Sequence, residues 1–242
     1  MKKFDEMWNE LAHYLICERG LDEGYSDGKY TKYFAKYCKQ IEGIDISEDF
    51  CKVAKKKLKD YNNVNLQIMD ARKTTFPDKH FDVILNTSFH EFDLSGYDKF
   101  TMDLDLKTDM LKEMIRLSDT IVFAEIAPEN ISGELYKVFN PVEDHSFRTR
   151  VSNLLIDKIL RDNGYDRLIE DFAVDEISYN SREEFLDDML VWWEEVKIPK
   201  DEAEKSQMKQ KIAAILETEN MLTDLCFHDI FRYTVYKKIE RK

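Results

Sequence analysis

The sequence predicts an α/β protein whose mostly parallel sheet carries helices on its faces. Helical and strand-like segments alternate from about residue 28 to residue 126, and this alternation is typical of parallel strands that are joined by helices. Small and polar residues follow several of the predicted strands. Since an open α/β sheet binds its ligand at the carboxyl ends of its strands, those residues mark the candidate site.

The chain has 242 residues, which suits one large domain, so residues 1–242 are predicted to form a single domain. Its 36 Lys and Arg residues against 49 Asp and Glu residues give a net charge of −13. This charge repels phosphate backbones, so a nucleic-acid partner is not expected. A hydrophobic content of 43% excludes a disordered chain.

The sequence favours a cytoplasmic protein without a membrane anchor. No apolar run approaches the roughly 20 residues of a membrane span. The N-terminus turns acidic without the apolar stretch of a signal peptide. The four cysteines lack CxxC spacing, and all are predicted to be reduced thiols: Cys17, Cys38, Cys51 and Cys226.

The first half begins with an amphipathic helix over 4–16, because its large apolar residues recur at helical spacing. A short buried strand is predicted to end near Asp45. Ser47 then provides a good N-cap for a Lys-rich helix over 50–58. The other elements predicted in this half are a turn over 20–28, helices over 30–37 and 110–117, and strands over 64–69, 81–85 and 120–126.

The second half is predicted to contain longer helices. Gly164 follows a helix over 147–162 and is a typical left-handed stop. Residues 181–184 form a capping box that opens a helix through Trp193. The remaining predicted elements are a helix over 202–225 and strands over 168–179 and 231–239. The helical pair over 181–225 lies between two strands and is interpreted as an inserted cap.

Four segments that can bind a ligand follow one another in the first half of the chain. The turn after the first strand contains small residues, which let a backbone approach a ligand closely. Asp45 follows the second strand, where an acid can accept hydrogen bonds from both hydroxyls of a ribose. Asp70 follows the third strand, where it can accept from an exocyclic adenine amine. Asn86 follows the fourth strand and faces the reacting atom.

In this order the residues resemble the class I S-adenosylmethionine-dependent methyltransferases. The first motif of that family runs acid-x-Gly-x-Gly-x-Gly, and Asp22, Gly24 and Gly28 match it, with Ser26 at the middle glycine. The resemblance extends over about residues 20–126. It implies a Rossmann-like three-layer sandwich with a seven-stranded, mostly parallel sheet. The last two strands would be antiparallel, with the cap inserted before the last one.

The resemblance also implies S-adenosylmethionine as the cofactor and a role for each matching residue. Asp22 would precede the three residues that line the methionine part of the cofactor, which are Gly24, Ser26 and Gly28. The remaining roles fall on the ends of the next strands. Asp45 would hold the ribose with Ile46 packed on the adenine, Asp70 would accept from the adenine amine with Ala71 beside it, and Asn86 would lie near the methyl group.

Two registers of the first motif are open at this point. A second register starts at Glu18 and places Asp22 at the middle glycine; the register that starts at Asp22 is favoured. A dinucleotide fingerprint is excluded, because Gly-x-Gly-x-x-Gly from Gly24 would need glycines where Ser26 and Lys29 stand.

A proton acceptor is needed only when the methyl acceptor carries a proton of high pKa. His90 is the first candidate for this catalytic base and His145 the second. No metal is expected, since no group of ligands has a known metal spacing. The N-terminal helix (1–18) and the segment 181–225 would cover the acceptor site, with these wall residues: Trp8, His13, Tyr14, Trp192 and Trp193.

The sequence thus favours a methyltransferase that acts on a small-molecule substrate. A first alternative is a catalytically silent relative that binds a ligand or a protein partner, because one glycine of the motif is replaced. A second is a protein or nucleic-acid methyltransferase. Residues 86–89 lack the two prolines that amino-group methyltransferases of nucleic acids carry there. A homodimer is open, since no feature of the sequence requires one.

Overall fold

The computed structural model describes residues 1–91, 103–139, 145–194 and 199–239. Its strands are β1 (Lys2–Lys3), β2 (Cys17–Glu23), β3 (Cys38–Asp45), β4 (Val64–Ile68), β5 (Val83–Asn86), β6 (Thr120–Ile126), β7 (Tyr165–Ser178) and β8 (Cys226–Lys238). Its α-helices are α1 (Phe4–Leu15), α2 (Thr31–Phe34), α3 (Glu48–Lys57), α4 (Leu104–Leu117), α5 (Ser132–Phe139), α6 (His145–Asp162), α7 (Arg182–Glu194), α8 (Glu202–Thr218) and α9 (Met221–Asp224). A single 3₁₀ turn covers Phe89–Glu91.

The eight strands form one sheet in the order β1-β7-β8-β6-β5-β2-β3-β4. Strands β2 to β6 pair in parallel, while β8 runs antiparallel to both β6 and β7. The predicted α/β fold is therefore confirmed, including the antiparallel pairing of the last two strands. The sheet has one strand more than predicted, because Lys2–Lys3 pairs in parallel with β7.

The chain reverses its direction across the sheet at β2. From β2 it builds outward through β3 to β4, then crosses back to place β5 on the other side of β2. Such a reversal opens a crevice at the carboxyl ends of the two central strands, where ligands of open α/β sheets bind. Here the crevice lies between Glu23 and Asn86, which are paired in register.

Helices cover both faces of the sheet, which gives three layers. Alternate residues of each central strand point to opposite faces. On one face, Val83 and Leu85 of β5 pack in a cluster with the apolar side of α1. On the other face, Ile84 packs in a cluster with α4 and α6. Each face therefore holds its own hydrophobic core.

The segment inserted between β7 and β8 consists of three helices. Helices α7, α8 and α9 share a hydrophobic cluster with α5. The predicted single helix over 202–225 is interrupted, because Asn220 adopts a left-handed φ of 59° between α8 and α9. Helix α5 was not expected from the sequence, and α2 covers four residues instead of the predicted 30–37.

The polar start of β2 has a local explanation. Glu18 and Arg19 lie at the amino edge of the sheet and are exposed, and Asp82 accepts hydrogen bonds from both of their backbone N–H groups. Burial begins at Gly20, where an added Cβ would lie 2.3 Å from Cζ of Phe34. In β2, the small and apolar residues are therefore the buried Gly20 and Leu21 in the middle of the strand.

The expectation of four reduced thiols is wrong for one pair. Cys17 and Cys38 form a disulfide, which their directly opposed positions on β2 and β3 make possible. Cys51 and Cys226 are free. No spacing pattern marks this pair, because the two cysteines are 21 positions apart and only the strand register brings them together.

In the part of the chain that the structure describes, no helix is long and apolar enough to cross a membrane.

Candidate functional site

The turn after β2 has the conformation that its small residues predict. Gly24 and Gly28 have φ angles of 74° and 80°, and Ser26 has a φ of 49°. Glycine adopts such left-handed angles freely, whereas a serine is strained there. The strand ends at Glu23 directly before Gly24, as the register that starts at Asp22 requires.

Gly28 is needed for space as well as for its backbone angle. A Cβ at this position would lie 2.8 Å from Cδ1 of Leu58, close to the Ala54 methyl group on α3. The turn therefore packs directly on α3, which begins three residues after the end of β3.

Asp45 holds this turn together. Its Oδ2 accepts a hydrogen bond from the backbone N–H of Ser26 at 2.9 Å, and its Oδ1 accepts one from Ser47 at 2.8 Å. A carboxylate offers about four acceptor positions, so both oxygens keep one for a ligand hydroxyl.

A pocket with a volume of about 430 Å³ opens beside Asp45. Its walls come from the ends of β2, β3 and β4 and from α4, and four predicted site residues besides Asp45 line it: Gly24, Ile46, Asp70 and Ala71. Ile46 is 71% exposed. This exposure leaves its side chain accessible for the predicted packing on the adenine. Asp70 forms an ion pair with Arg72, and the hydrogen bonds from Arg72 lower the pKa of its carboxyl.

Two consecutive carboxyl groups are buried where β2 meets the turn. Asp22 is 1% exposed and Glu23 is 0% exposed. Neither oxygen of Asp22, and only one oxygen of Glu23, has a standard hydrogen bond to a described residue. Burial raises the pKa of Asp22 to about 7 and that of Glu23 to about 8. Burial therefore favours the protonated, neutral form of both carboxyl groups.

Asn86 links β5 to this acidic pair. Its Nδ2 donates a hydrogen bond to Oε2 of Glu23 at 3.1 Å, and its Oδ1 accepts one from the backbone N–H of Ser88. The side chain is fully buried. Asn86 thus lies beside the cofactor turn, at the position that the sequence predicts for the reacting atom.

His90 lies on the 3₁₀ turn after β5 and contacts Glu125 at the end of β6. Oε1 of Glu125 accepts a hydrogen bond from the His90 backbone N–H at 2.8 Å and lies 3.3 Å from Nδ1. Both side chains are buried. A carboxylate at Nδ1 favours the tautomer that carries its proton on Nδ1, which leaves the lone pair on Nε2.

A buried lysine supports the same turn. Lys107 on α4 is fully buried, and its Nζ donates a hydrogen bond to the carbonyl oxygen of Phe89 at 2.6 Å. The ammonium group also lies 4.9 Å from the centre of the Phe89 ring. These contacts fix the segment that carries His90.

The other predicted residues lie elsewhere or outside the described part. Trp8 is a core residue that stacks on Tyr33, with ring centroids 5.0 Å apart. His13 and Tyr14 lie near the end of α1, just before β2 begins at the amino edge of the sheet, away from the crevice. Outside the described part lie the side chains of His145, Trp192 and Trp193.

Sequence analysis missed four buried polar residues at this edge: Glu23, Lys107, Glu125 and Asp229. Asp229 accepts a hydrogen bond from Asn130, and burial raises the pKa of its carboxyl to about 6. Glu125 was visible as an acid inside the apolar strand 120–126, a pattern that marks a buried charge with a partner. Among the described residues no group of three or more His, Cys, Asp or Glu could hold a metal ion.

Comparison with known proteins bears on this site. Residues 21–118 match the family model described as a methyltransferase domain. The match spans the turn, the pocket and the crevice. Over these residues the chain is similar to a methyltransferase domain. No curated protein matches the sequence.

Solved structures share the fold over almost the whole chain. A predicted methyltransferase from Bacillus halodurans is 16% identical, with 96% of this chain and 97% of that chain covered and a TM-score of 0.63. The YcgJ protein of Bacillus subtilis is 17% identical, with 98% and 100% covered and a TM-score of 0.61. The [4+2]-cyclase SpnF is 16% identical, with 97% and 81% covered and a TM-score of 0.56.

The methyltransferase domain implies S-adenosylmethionine as the cofactor, and the residues present fit it. The pocket beside Asp45 offers an apolar wall and a carboxylate with free acceptor positions, which suit an adenosine. The buried carboxyl of Glu23, directly before Gly24, suits a ligand that brings positive charge. Gly24 lies between these two regions, and its lack of a side chain lets a ligand approach the backbone closely.

Proposed function

We propose that this methyltransferase acts on a small molecule that enters above β5 and β6. The observation that carries the proposal is the burial of Asn86, which contacts Glu23 beside the cofactor turn, and of His90 on the 3₁₀ turn after β5. Their exposed fractions are 0% and 4%. Only a small or slender molecule can bring its acceptor atom to a buried site of this kind. The net charge of −13 also favours such an acceptor over a nucleic acid.

When bound, the cofactor supplies a methyl group that is activated by its sulfonium charge. The protein then has to align the acceptor and exclude water. Asp45 and the pocket around it fix the adenosine end, and Asn86 borders the reacting end.

His90 is the proposed base for an acceptor that must lose a proton. Glu125 lies at Nδ1, so Nε2 is the nitrogen that would take the proton. The Glu125 carboxylate also stabilises the imidazolium that results. Lys107 keeps the turn in place through the Phe89 carbonyl.

The test has two stages. Isothermal titration with S-adenosylmethionine and S-adenosylhomocysteine comes first, and micromolar binding is expected. Formation of S-adenosylhomocysteine is then measured with panels of small amines, alcohols and thiols, and with protein and RNA as separate arms. Methylation of a macromolecule alone would contradict the proposal.

Replacing His90 tests the base. For His90→Gln we expect turnover to fall by about 10²–10⁴-fold, the usual contribution of a general base, with cofactor affinity unchanged. His80→Gln is the matched control, because His80 precedes β5 at the opposite edge of the sheet. Equal turnover of the two variants would remove His90 from the mechanism.

A catalytically silent binding protein is the second candidate. Ser26 stands where the family motif has its middle glycine, and it adopts a left-handed φ of 49°. Its side chain leaves less space for the cofactor at the turn than a glycine would. The fold alone does not decide between the two, since a structure of the same fold is described as a cyclase. No binding of S-adenosylmethionine at millimolar concentration would favour this candidate.

A further inference from the structure

Glu23 is a buried acid at a position that the methyltransferase motif leaves unspecified. It stands between Asp22 and Gly24, and its side chain is fully buried. Oε2 accepts a hydrogen bond from Asn86, while Oε1 has no partner among the described residues. A buried carboxylate with one amide as its partner is costly, so the group needs a proton or a cation.

Glu23 directly precedes Gly24, a residue that lines the cofactor pocket. Residues two apart on a strand share a face, and Leu21 packs in the same cluster as Met110 of α4. Met110 also lines the cofactor pocket, together with Gly24. Glu23 therefore lies on the pocket face of the sheet, at the edge where the pocket opens. Asp22 points to the opposite face.

The charged groups that act on Glu23 are acidic. Asp22 on the same strand and Glu113 on α4 both disfavour its ionisation, and the neutral Asn86 on β5 favours it. On the other side, β3 places the apolar Ile44 in register with Glu23. Burial is the largest influence and raises the pKa of the carboxyl to about 8.

We propose that Glu23 contacts the positive charge of the cofactor, and that it holds a proton in the free protein which it releases when S-adenosylmethionine binds. The proton leaves to solvent, no covalent bond forms or breaks on the ligand, and an ion pair replaces the O–H group. The cation is the α-ammonium group or the sulfonium. This inference rests on the cofactor of the proposed function and not on its acceptor.

Proton release makes cofactor binding depend on pH. Below the pKa of the free carboxyl, each unit of pH raises the affinity up to tenfold, because the deprotonated form is the one that binds. Between pH 6.0 and 7.5 we expect the affinity for S-adenosylmethionine to rise about 20-fold.

The experiment is titration calorimetry of the full chain at about pH 6.5 in two buffers of different ionisation enthalpy. The difference in measured heat gives the number of protons released, and roughly one per bound S-adenosylmethionine is expected. S-adenosylhomocysteine carries the ammonium without the sulfonium. Release with both ligands assigns Glu23 to the ammonium, and release with S-adenosylmethionine alone assigns it to the sulfonium.

Glu23→Gln separates this group from Asp22. The amide keeps the size of the side chain and cannot ionise, so proton release should fall by about one and the rise in affinity with pH should flatten. Glu42→Gln is the control, since Glu42 lies on β3 and accepts hydrogen bonds from the side-chain amides of Asn65 and Gln67.

Three results would be decisive against the inference. Binding without proton release in the wild type would overturn it while leaving the cofactor in place, and this result needs no variant. Unchanged release in Glu23→Gln would assign the proton to another group. No binding of either ligand would remove the cofactor itself, and the proposed function with it.

Discussion

At the scale of single residues, Asp45 has two roles. It closes the turn by accepting the Ser26 and Ser47 backbone N–H groups, and it presents its remaining lone pairs to the pocket. Ser26 depends on this bond, because a serine at a φ of 49° has no preference of its own for that conformation. The cofactor turn is thus held by the acid that is also predicted to bind the ligand.

Removal of the Asp45 carboxylate should weaken binding of S-adenosylmethionine by about 1–3 kcal/mol, as one or two charge-assisted hydrogen bonds are lost. Titration calorimetry of Asp45→Ala measures this effect. Asp82→Ala is the matched control, because Asp82 also accepts two backbone N–H groups but lies at the amino edge. An equal loss of affinity in both variants would show a general loss of stability instead of a ligand contact.

At the scale of elements, the turn after β2 and helix α3 form one unit. Ser47 caps α3 by accepting the N–H of Phe50, and Leu58 and Ala54 of the same segment leave room for a glycine only at position 28. The capping signal at Ser47 was predicted from the sequence and is confirmed. The close approach of Gly28 was not, since it depends on how the turn packs on the helix.

Gly28→Ala should therefore destabilise the protein through two effects. A left-handed alanine costs about 1–2 kcal/mol, and the contact with Leu58 adds about 1–3 kcal/mol of overpacking. Gly164→Ala isolates the first effect, because Gly164 has a φ of 83° and nothing within 4 Å of an added Cβ. Urea unfolding of both variants measures the difference, and an equal cost would contradict the packing argument.

At the scale of the whole molecule, buried acids link stability to pH. Asp22, Glu23 and Asp229 have pKa values raised by burial to about 7, 8 and 6. The unfolded chain releases these protons near pH 4. Between those limits the folded protein binds more protons than the unfolded chain, so raising the pH disfavours folding.

We expect the melting temperature of the free protein to fall as the pH rises from about 5 to about 8, and to level off above that range. Thermal unfolding in buffers of equal ionic strength measures this dependence. The double variant Asp22→Asn and Glu23→Gln should show a flatter profile, because its side chains cannot ionise. A wild-type profile that rises towards pH 8 would mean that these carboxyls are already ionised in the folded protein.

Most of the cofactor site could be predicted because it follows the chain locally. Asp45 and Asp70 come directly after their strands, and the glycines of the turn mark left-handed positions. Residues at the ends of parallel strands meet at one edge, so their order along the sequence is enough to place them. The structure lines one pocket with Asp45, Asp70, Ile46 and Ala71; their roles toward the cofactor stay predictions.

The pairing of side chains from distant segments could not be predicted in this way. Glu23 meets Asn86 across 63 positions, and His90 meets Glu125 across 35. Cys17 meets Cys38 for the same reason, through strand register. A large helix residue such as Trp8 has the same spacing whether it covers a ligand or packs in the core, so only the neighbouring Tyr33 decides its place.

By itself, the sequence determined the α/β fold, the turn and the strand ends that define the cofactor pocket, because each depends on local spacing and on backbone preference. The tertiary structure decided which acids are buried and which partners they have, because burial and electrostatic pairing depend on segments far apart in the chain. For Glu23, the sequence shows only an acid beside a glycine, and the packing shows that no cation among the described residues pairs with it.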